Sequence, residues 1–149
     1  MAPNYSLHSI PVYWFLALAP HAYAVGVAKK ANNGHWDNTN PRNTSYLEQK
    51  VPKEALARYE RAEAAHANGM ENAPFFIGAV LAGNFAGLDA TTLNAYTGVY
   101  IGLRVLYNVL YVRTTTLKSS RARSLVWLVS TVSLFVLYFK AANRMLARG

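Results

Sequence analysis

The chain has 149 residues, of which 52% are hydrophobic and only 15% are charged, a balance that argues against a soluble globular protein and favours a membrane protein. Its formal net charge of +8 is not gathered into basic runs interleaved with aromatic residues, so nucleic-acid binding is not expected. Cysteine is absent, which excludes disulfides and a cysteine nucleophile, and the four histidines show no metal-ligand spacing, so we predict no metal site.

The first apolar segment covers residues 7–28 and contains no Lys, Arg, Asp or Glu. Its length is close to the roughly 20 residues that cross a bilayer. Residues 22–24, Ala-Tyr-Ala, have the small-residue pattern of a signal-peptide cleavage site, but no positive charge precedes them. We therefore expect a retained membrane helix, in which Pro11 and Pro20 predict bends.

The second helix follows an Asn-rich connector, residues 31–46. Pro52 and Glu54 are typical of a helix N-terminus, and a polar extension leads from there into an apolar segment, residues 75–88. Pro74 lacks a backbone N–H, which predicts a bend and a free carbonyl near it.

One face of this second helix is polar. With about 100° of rotation per residue, five residues fall within an arc of about 100°, whereas His66 points to the other side. Glu71 lies one turn before Phe75 and the apolar run, so its carboxylate needs a cationic or amino partner. The residues of the polar arc are Glu60, Arg61, Ala64, Asn68 and Glu71.

The third helix, residues 93–112, begins after the capping residue Asp89 and carries Arg104 near its centre. An arginine there costs about 2.5–3.5 kcal/mol on insertion scales, so we expect it to face a polar interior. Two alternatives remain open: Arg104 forms an ion pair with Glu71, or it contacts a ligand. The stripe that contains Arg104 also includes Tyr100, Tyr107, Asn108 and Tyr111.

A short polar turn, residues 114–120, predicts that the fourth helix starts at about residues 121–124 and continues through the apolar segment 125–139. Arg123 would then lie at the helix N-terminus, where a guanidinium and the helix dipole together favour a bound thiolate. The four segments predict one multi-pass domain over residues 1–149. Basic residues concentrate at the first and third connections, which the positive-inside tendency assigns to the cytoplasmic side, with both termini opposite.

Three motifs on the last three helices occur together in one known family. They are Glu60-Arg61 followed by His-Ala-Asn-Gly-Met-Glu-Asn-Ala-Pro-Phe at residues 66–75, Arg104-Val-Leu-Tyr107 with Tyr111, and Arg-Ser-Leu-Val-Trp at residues 123–127. The chain resembles the MAPEG family, membrane-associated proteins of eicosanoid and glutathione metabolism that include the microsomal glutathione transferases. The resemblance implies an all-α, integral membrane four-helix bundle assembled as a homotrimer, located in the endoplasmic reticulum membrane in a eukaryote.

The resemblance also implies a glutathione site at the subunit interface, built from the second helix of one chain and the third and fourth helices of another. Residue by residue, Asn68 and Glu71 would hold polar groups of glutathione, with Glu71 matched to the amino group, and Arg123 would stabilise the thiolate. A lipophilic electrophile would enter from the bilayer. The supporting and lining residues would be Arg104, Tyr107 and Tyr111.

Among the departures of the chain from the family pattern, two concern the arginines of the glutathione site. Ala64 stands where many relatives have an arginine that contacts glutathione, and Arg61, nearly one turn earlier on the same face, is the available replacement. The connection before Arg123 needs a small insertion in alignment, which leaves Arg121 as a rival for the thiolate-binding role.

Three functions follow as hypotheses. The first is a glutathione-dependent transferase, peroxidase or isomerase acting on a lipophilic substrate within the membrane. The second is a non-catalytic lipid-binding or scaffold member of the family, which the alanine at position 64 favours. The third is a glutathione-independent enzyme that rearranges a lipophilic metabolite in the same pocket by acid or base chemistry. Apolar residues that line a pocket indicate the size of its ligand but not its chemical identity, so the sequence does not name the substrate.

Overall fold

The computed structural model describes residues 2–41 and 44–148, and all regular structure within these ranges is helical. The predicted all-α bundle is confirmed. A single 3₁₀ turn, Ser6–His8, precedes four long helices and one short one. The helices are α1 (Ser9–Ala31), α2 (Ser45–Lys50), α3 (Lys53–Phe85), α4 (Ala90–Arg113) and α5 (Leu117–Leu146).

Helix α3 joins the polar extension and the apolar segment of the sequence into one helix of 33 residues. Its N-cap residue is Pro52, and Glu54 lies in its first turn, as the sequence predicts. Pro74 lies inside the helix, where it cannot donate a hydrogen bond to the carbonyl of Met70. Whether Pro74 also bends the helix stays a prediction.

The starts of α4 and α5 are fixed by side-chain caps. Asp89 accepts hydrogen bonds from the backbone N–H and the hydroxyl of Thr92, at 2.8 and 2.7 Å, which confirms the predicted cap of α4. The bond from the Thr92 hydroxyl is the main cause that holds the pKa of the Asp89 carboxyl below its ordinary value.

The prediction for the start of α5 is wrong. Thr116 is the N-cap and forms a capping box with Ser119, so the second half of the segment assigned to a turn, residues 117–120, forms the first turn of the helix. The connection from α4 is correspondingly short. Because α5 begins at Leu117, Arg123 lies in its second turn and not at its N-terminus.

The core is aromatic where α1, α3 and α4 meet. The rings of Phe76 and Tyr100 stack with their centroids 4.7 Å apart, and Tyr13 packs against both, at 4.9 and 5.7 Å. Near this cluster α1 and α3 approach closely, since a Cβ built on Gly69 would lie 3.0 Å from the Cβ of Ala17. The cluster and the close contact fix α3 against its two neighbours.

Two of the long helices are long and apolar enough to cross a membrane, namely Ser6–Ala31, which is α1 with its preceding turn, and α5. Helices α3 and α4 carry more polar residues, so whether they also cross the bilayer stays a prediction, as does the orientation of the connections. Large apolar side chains cover the outside of α5, as lipid contact requires. Those most exposed include Leu125, Leu128, Val132, Phe135 and Phe139.

Candidate functional site

A small polar pocket lies between α3, α4 and α5, with a volume of about 150 Å³. Asn68 comes from α3, Tyr107 and Tyr111 come from α4, and Arg123 comes from α5. The structure therefore brings four of the predicted site residues together. It brings them together within one chain, whereas we expected α3 from one subunit and the other two helices from another. The remaining lining residues are Ser124 and Trp127.

Arg104 supports this pocket from behind. Its side chain is 2% exposed, its Nη2 donates to Oδ1 of Asn68 at 2.9 Å, and its Cζ lies 4.4 Å from the ring centroid of Tyr107. Among the described residues it forms no ion pair with Glu71, so that alternative is wrong. The bond to Arg104 uses the side-chain oxygen of Asn68 and fixes the orientation of its amide. The Nδ2 group of Asn68 has no described partner and is available to donate to a ligand.

The polar stripe of α4 faces the bundle interior, as predicted. Tyr100, Arg104 and Tyr107 are buried, and Nδ2 of Asn108 donates to the carbonyl of Leu16 on α1 at 3.1 Å. Two buried atoms of the stripe, Nη1 of Arg104 and Oδ1 of Asn108, have no hydrogen-bond partner in the described part of the chain. Buried polar groups are usually paired, so this stripe keeps hydrogen-bonding capacity that neighbouring protein atoms do not use.

Arg123 is held at the mouth of the pocket by an aromatic ring. Its Cζ lies 4.1 Å from the ring centroid of Tyr111, and the rings of Tyr111 and Tyr107 meet edge to face at 5.5 Å. Arg121 is exposed and does not line the pocket, so geometry separates the two rival arginines. Since Arg123 lies beyond the first turn of α5, the helix dipole adds little there. The positive potential comes from the guanidinium itself.

Glu71 and Ala64 lie beside the pocket and do not line it. Both border a larger, open cavity of about 1400 Å³ between α1, α3 and the connection that follows α1. Glu71 is exposed, and no described residue forms an ion pair with it. A ligand that contacts both Asn68 and Glu71 must therefore extend over the surface of α3 from the small pocket towards the large one.

The large cavity also contains a polar pair that sequence reasoning missed. Nδ1 of His21 and Oε1 of Glu63 are 2.7 Å apart, and the ring of His21 lies 5.2 Å from that of His66. His66 donates from Nδ1 to the carbonyl of Ala17 at 2.8 Å, on the side of α3 away from Arg104, as the helical spacing predicts. His21 and Glu63 belong to different helices and share no motif, so no sequence signal was available to pair them.

Arg61, the available replacement for an arginine at position 64, does not line the Asn68 pocket. Its Nε donates to the carbonyl of Val112 near the end of α4, at 3.1 Å. Its side chain lines a third cavity, which shares no lining residue with the Asn68 pocket. The physical reason is that a free carbonyl at a helix C-terminus is a strong acceptor for a nearby guanidinium. Across residues 2–41 and 44–148, no group of three His, Asp or Glu is placed to hold a metal ion.

A family model of the MAPEG family matches residues 9–143, which is most of the 149-residue chain. The chain belongs to the MAPEG family. This confirms the resemblance drawn from the motifs and places the protein in a membrane family whose members in general act in glutathione-dependent transfer and isomerisation. No curated protein and no solved structure matches the chain. All six residues that line the small pocket lie inside the matched MAPEG region.

Proposed function

We propose that this MAPEG protein is a glutathione-dependent transferase, peroxidase or isomerase that acts on a lipophilic substrate within the membrane. The observation that carries the proposal is the convergence of Asn68, Tyr107, Tyr111 and Arg123 on one pocket. The family match supplies the chemical class of the cosubstrate, and the donors in the pocket supply an independent argument.

The lining of the pocket fits an anionic group. It offers a guanidinium, two phenol hydroxyls and the amide N–H₂ of Asn68, and none of its lining residues is acidic. A thiolate beside Arg123 gains a charge-assisted contact, which lowers the pKa of a thiol from its ordinary value of about 8.5. Because the chain has no cysteine, the sulfur must come from the bound cosubstrate, for which glutathione is the candidate.

The volume of the pocket indicates that one chain holds only part of this ligand. Small-molecule sites usually enclose about 300–1000 Å³, and this pocket encloses about 150 Å³. We infer that the rest of glutathione extends towards Glu71, whose carboxylate suits its amino group. A second copy of the chain would cover this exposed part in a homotrimer.

In the proposed reaction, Asn68 and the two tyrosines orient the cosubstrate, and Arg123 holds the thiolate after its proton leaves. The thiol proton passes to water. The thiolate sulfur then forms a bond to an electrophilic atom of the lipophilic substrate, and the displaced electron pair departs with a leaving group or is protonated by water. Proximity and charge stabilisation supply the rate enhancement. Trp127 borders the pocket on α5, whose outer surface is apolar. This side provides a route from the bilayer. In the described structure no residue is required as a covalent nucleophile.

A second function is favoured by one observation. No arginine lies at position 64, and Arg61 is engaged with Val112, so one expected contact to glutathione is missing. A pocket without glutathione would fit a non-catalytic lipid-binding or scaffold protein, or an enzyme that rearranges a lipophilic metabolite by acid or base chemistry.

Calorimetry of the purified protein in detergent, titrated with glutathione, separates these functions. Ultraviolet absorbance of the bound thiolate near neutral pH then tests the role of Arg123. We expect Arg123→Ala to remove most of the thiolate signal with little loss of affinity, and the matched control Arg121→Ala to retain the signal. Absence of glutathione binding would refute the first function. A signal lost only in the Arg121 variant would transfer the role to that residue.

A further inference from the structure

A third cavity, of about 340 Å³, lies at the end of the bundle that carries the connections after α1 and α4. Tyr23 on α1 forms one wall, and Arg58 and Arg61 on α3 form another. The end of α4 and the connection after it close the cavity, through Val112, Arg113 and Thr115.

The three arginines of this cavity have no acidic partners. The chain has seven Asp and Glu residues, and in its described part none forms an ion pair with Arg58, Arg61 or Arg113. Arg61 uses only its Nε, which donates to the carbonyl of Val112. Its two terminal nitrogens therefore remain available, as do the guanidinium groups of the other two.

Three arginines that line one cavity without counter-charges attract an anion. The planar fork of arginine matches the oxygens of a phosphate group and binds them with paired hydrogen bonds. Tyr23 and Thr115 add two hydroxyl groups to the lining. A volume of about 340 Å³ accommodates a phosphate and its nearest substituents but not a whole lipid.

The position of the cavity indicates where such a phosphate would come from. The exposed ring of Tyr23 on the apolar helix α1 is typical of the level of lipid headgroups, and arginines beside it can reach that level. Basic pockets between membrane helices at this level bind anionic headgroups.

We propose that Tyr23, Arg58, Arg61, Arg113 and Thr115 form a binding site for a phosphate group, supplied by an anionic phospholipid headgroup or by a soluble phosphate. The site is separate from the Asn68 pocket, with which it shares no lining residue. It therefore does not depend on glutathione chemistry.

The test is titration of the purified full chain in detergent with dioleoyl phosphatidylglycerol, followed by native mass spectrometry. Parallel titrations use dioleoyl phosphatidylcholine and inorganic phosphate. Arg58→Gln with Arg113→Gln is the informative double variant, because both side chains are exposed. Arg61→Gln is avoided, since it would also remove the contact to the end of α4. The matched control is Lys118→Gln with Arg121→Gln, which removes the same charge near the same end of the bundle.

We expect one phosphatidylglycerol to bind each chain more tightly than phosphatidylcholine, with affinity reduced about tenfold or more in the double variant and unchanged in the control. Binding of inorganic phosphate without phosphatidylglycerol would support the site and assign it to a soluble ligand. Equal losses in the double variant and the control would reduce the effect to general surface charge and overturn the proposal. Binding unchanged in the double variant, or no binding of either probe, would also overturn it.

Discussion

Helix α3 packs against α1 on one side and against α4 on another, and the two contacts differ in their hydrogen bonds. Towards α1 the contact is close, and beside the aromatic core two side chains bond to backbone: the hydroxyl of Tyr13 donates to the carbonyl of Gly69 at 2.7 Å, and His66 donates to the carbonyl of Ala17. Towards α4, at the same depth beside the pocket, the bond joins two side chains, Arg104 and Asn68.

The α4 side retains unused hydrogen-bonding groups at and behind the pocket. The nitrogen of the Asn68 amide has no described partner, and Nη1 of Arg104 and Oδ1 of Asn108 are buried without one. Close packing with paired polar groups stabilises a fold, whereas unpaired donors and acceptors remain available to a ligand. The difference predicts that substitutions on the α1 side change stability and substitutions on the α4 side change ligand binding.

The largest expected effect is on the α1 side. Gly69→Leu places a side chain where even a Cβ would lie 3.0 Å from Ala17, so we expect a loss of about 3 kcal/mol in the free energy of unfolding. Chemical unfolding in detergent measures it. The matched control is Gly98→Leu on α4, where a Cβ meets no atom within 4 Å. If both variants lose the same stability, the close contact does not limit packing.

Arg104→Met tests the α4 side. The hydrogen bond to Asn68 is lost, so we expect the dissociation constant for glutathione to rise about tenfold. The free energy of unfolding should change little, because the variant also removes the desolvation cost of a buried guanidinium. Calorimetry and chemical unfolding measure the two effects, with the exposed neighbour Val105→Met as control. A strong loss of stability with unchanged affinity would reverse the assignment of this side.

Tyr13→Phe should have a smaller effect. The variant removes the bond to the carbonyl of Gly69 and leaves the ring in the aromatic core, so we expect a loss of about 1 kcal/mol in stability and no change in glutathione affinity. Tyr23→Phe, which alters an exposed tyrosine of the same helix, serves as the stability control. A change in glutathione affinity in the Tyr13 variant would show that the two sides of α3 are coupled.

Glu71→Gln should have the smallest effect on stability, because the carboxylate is exposed and has no described ion pair. We expect a change below about 0.5 kcal/mol in the free energy of unfolding. Glutathione affinity should nevertheless fall, since Glu71 is proposed to hold its amino group. Glu60→Gln, an exposed carboxylate earlier on α3, is the control. Equal affinities in both variants would remove Glu71 from the proposed site.

Helical spacing and the family resemblance together predicted most of the small pocket. Helical spacing correctly predicts that the stripe containing Arg104 faces the bundle interior. The resemblance names four residues that the structure brings together, Asn68, Tyr107, Tyr111 and Arg123. Spacing defines the direction of a side chain around its own helix but not the neighbour that it meets. For this reason the sequence leaves the partner of Arg104 open between Glu71 and a ligand, whereas the observed partner is Asn68.

The errors have local causes. Ser and Thr at residues 114–120 are typical of a turn, yet Thr116 and Ser119 form a helix cap, so the sequence predicts too late a start for α5. Arg61 lies on the same face as Asn68, but its length lets it reach the carbonyl of Val112 at the end of α4. The pair of His21 and Glu63 joins residues 42 positions apart, which only the docking of α1 against α3 can bring together.

Three helices are tied to one another in a closed ring of hydrogen bonds. Tyr13 links α1 to α3, Arg104 links α4 to α3, and Asn108 links α4 to α1. Helix α5 is joined to α3 by one such bond, from the hydroxyl of Tyr138 to the carbonyl of Phe75 at 3.0 Å. Helix α5, which carries the arginine proposed to hold the thiolate, therefore has the fewest described hydrogen bonds to the other long helices. We expect substrates of different size to be accommodated by displacement of α5, while α1, α3 and α4 keep their relative positions.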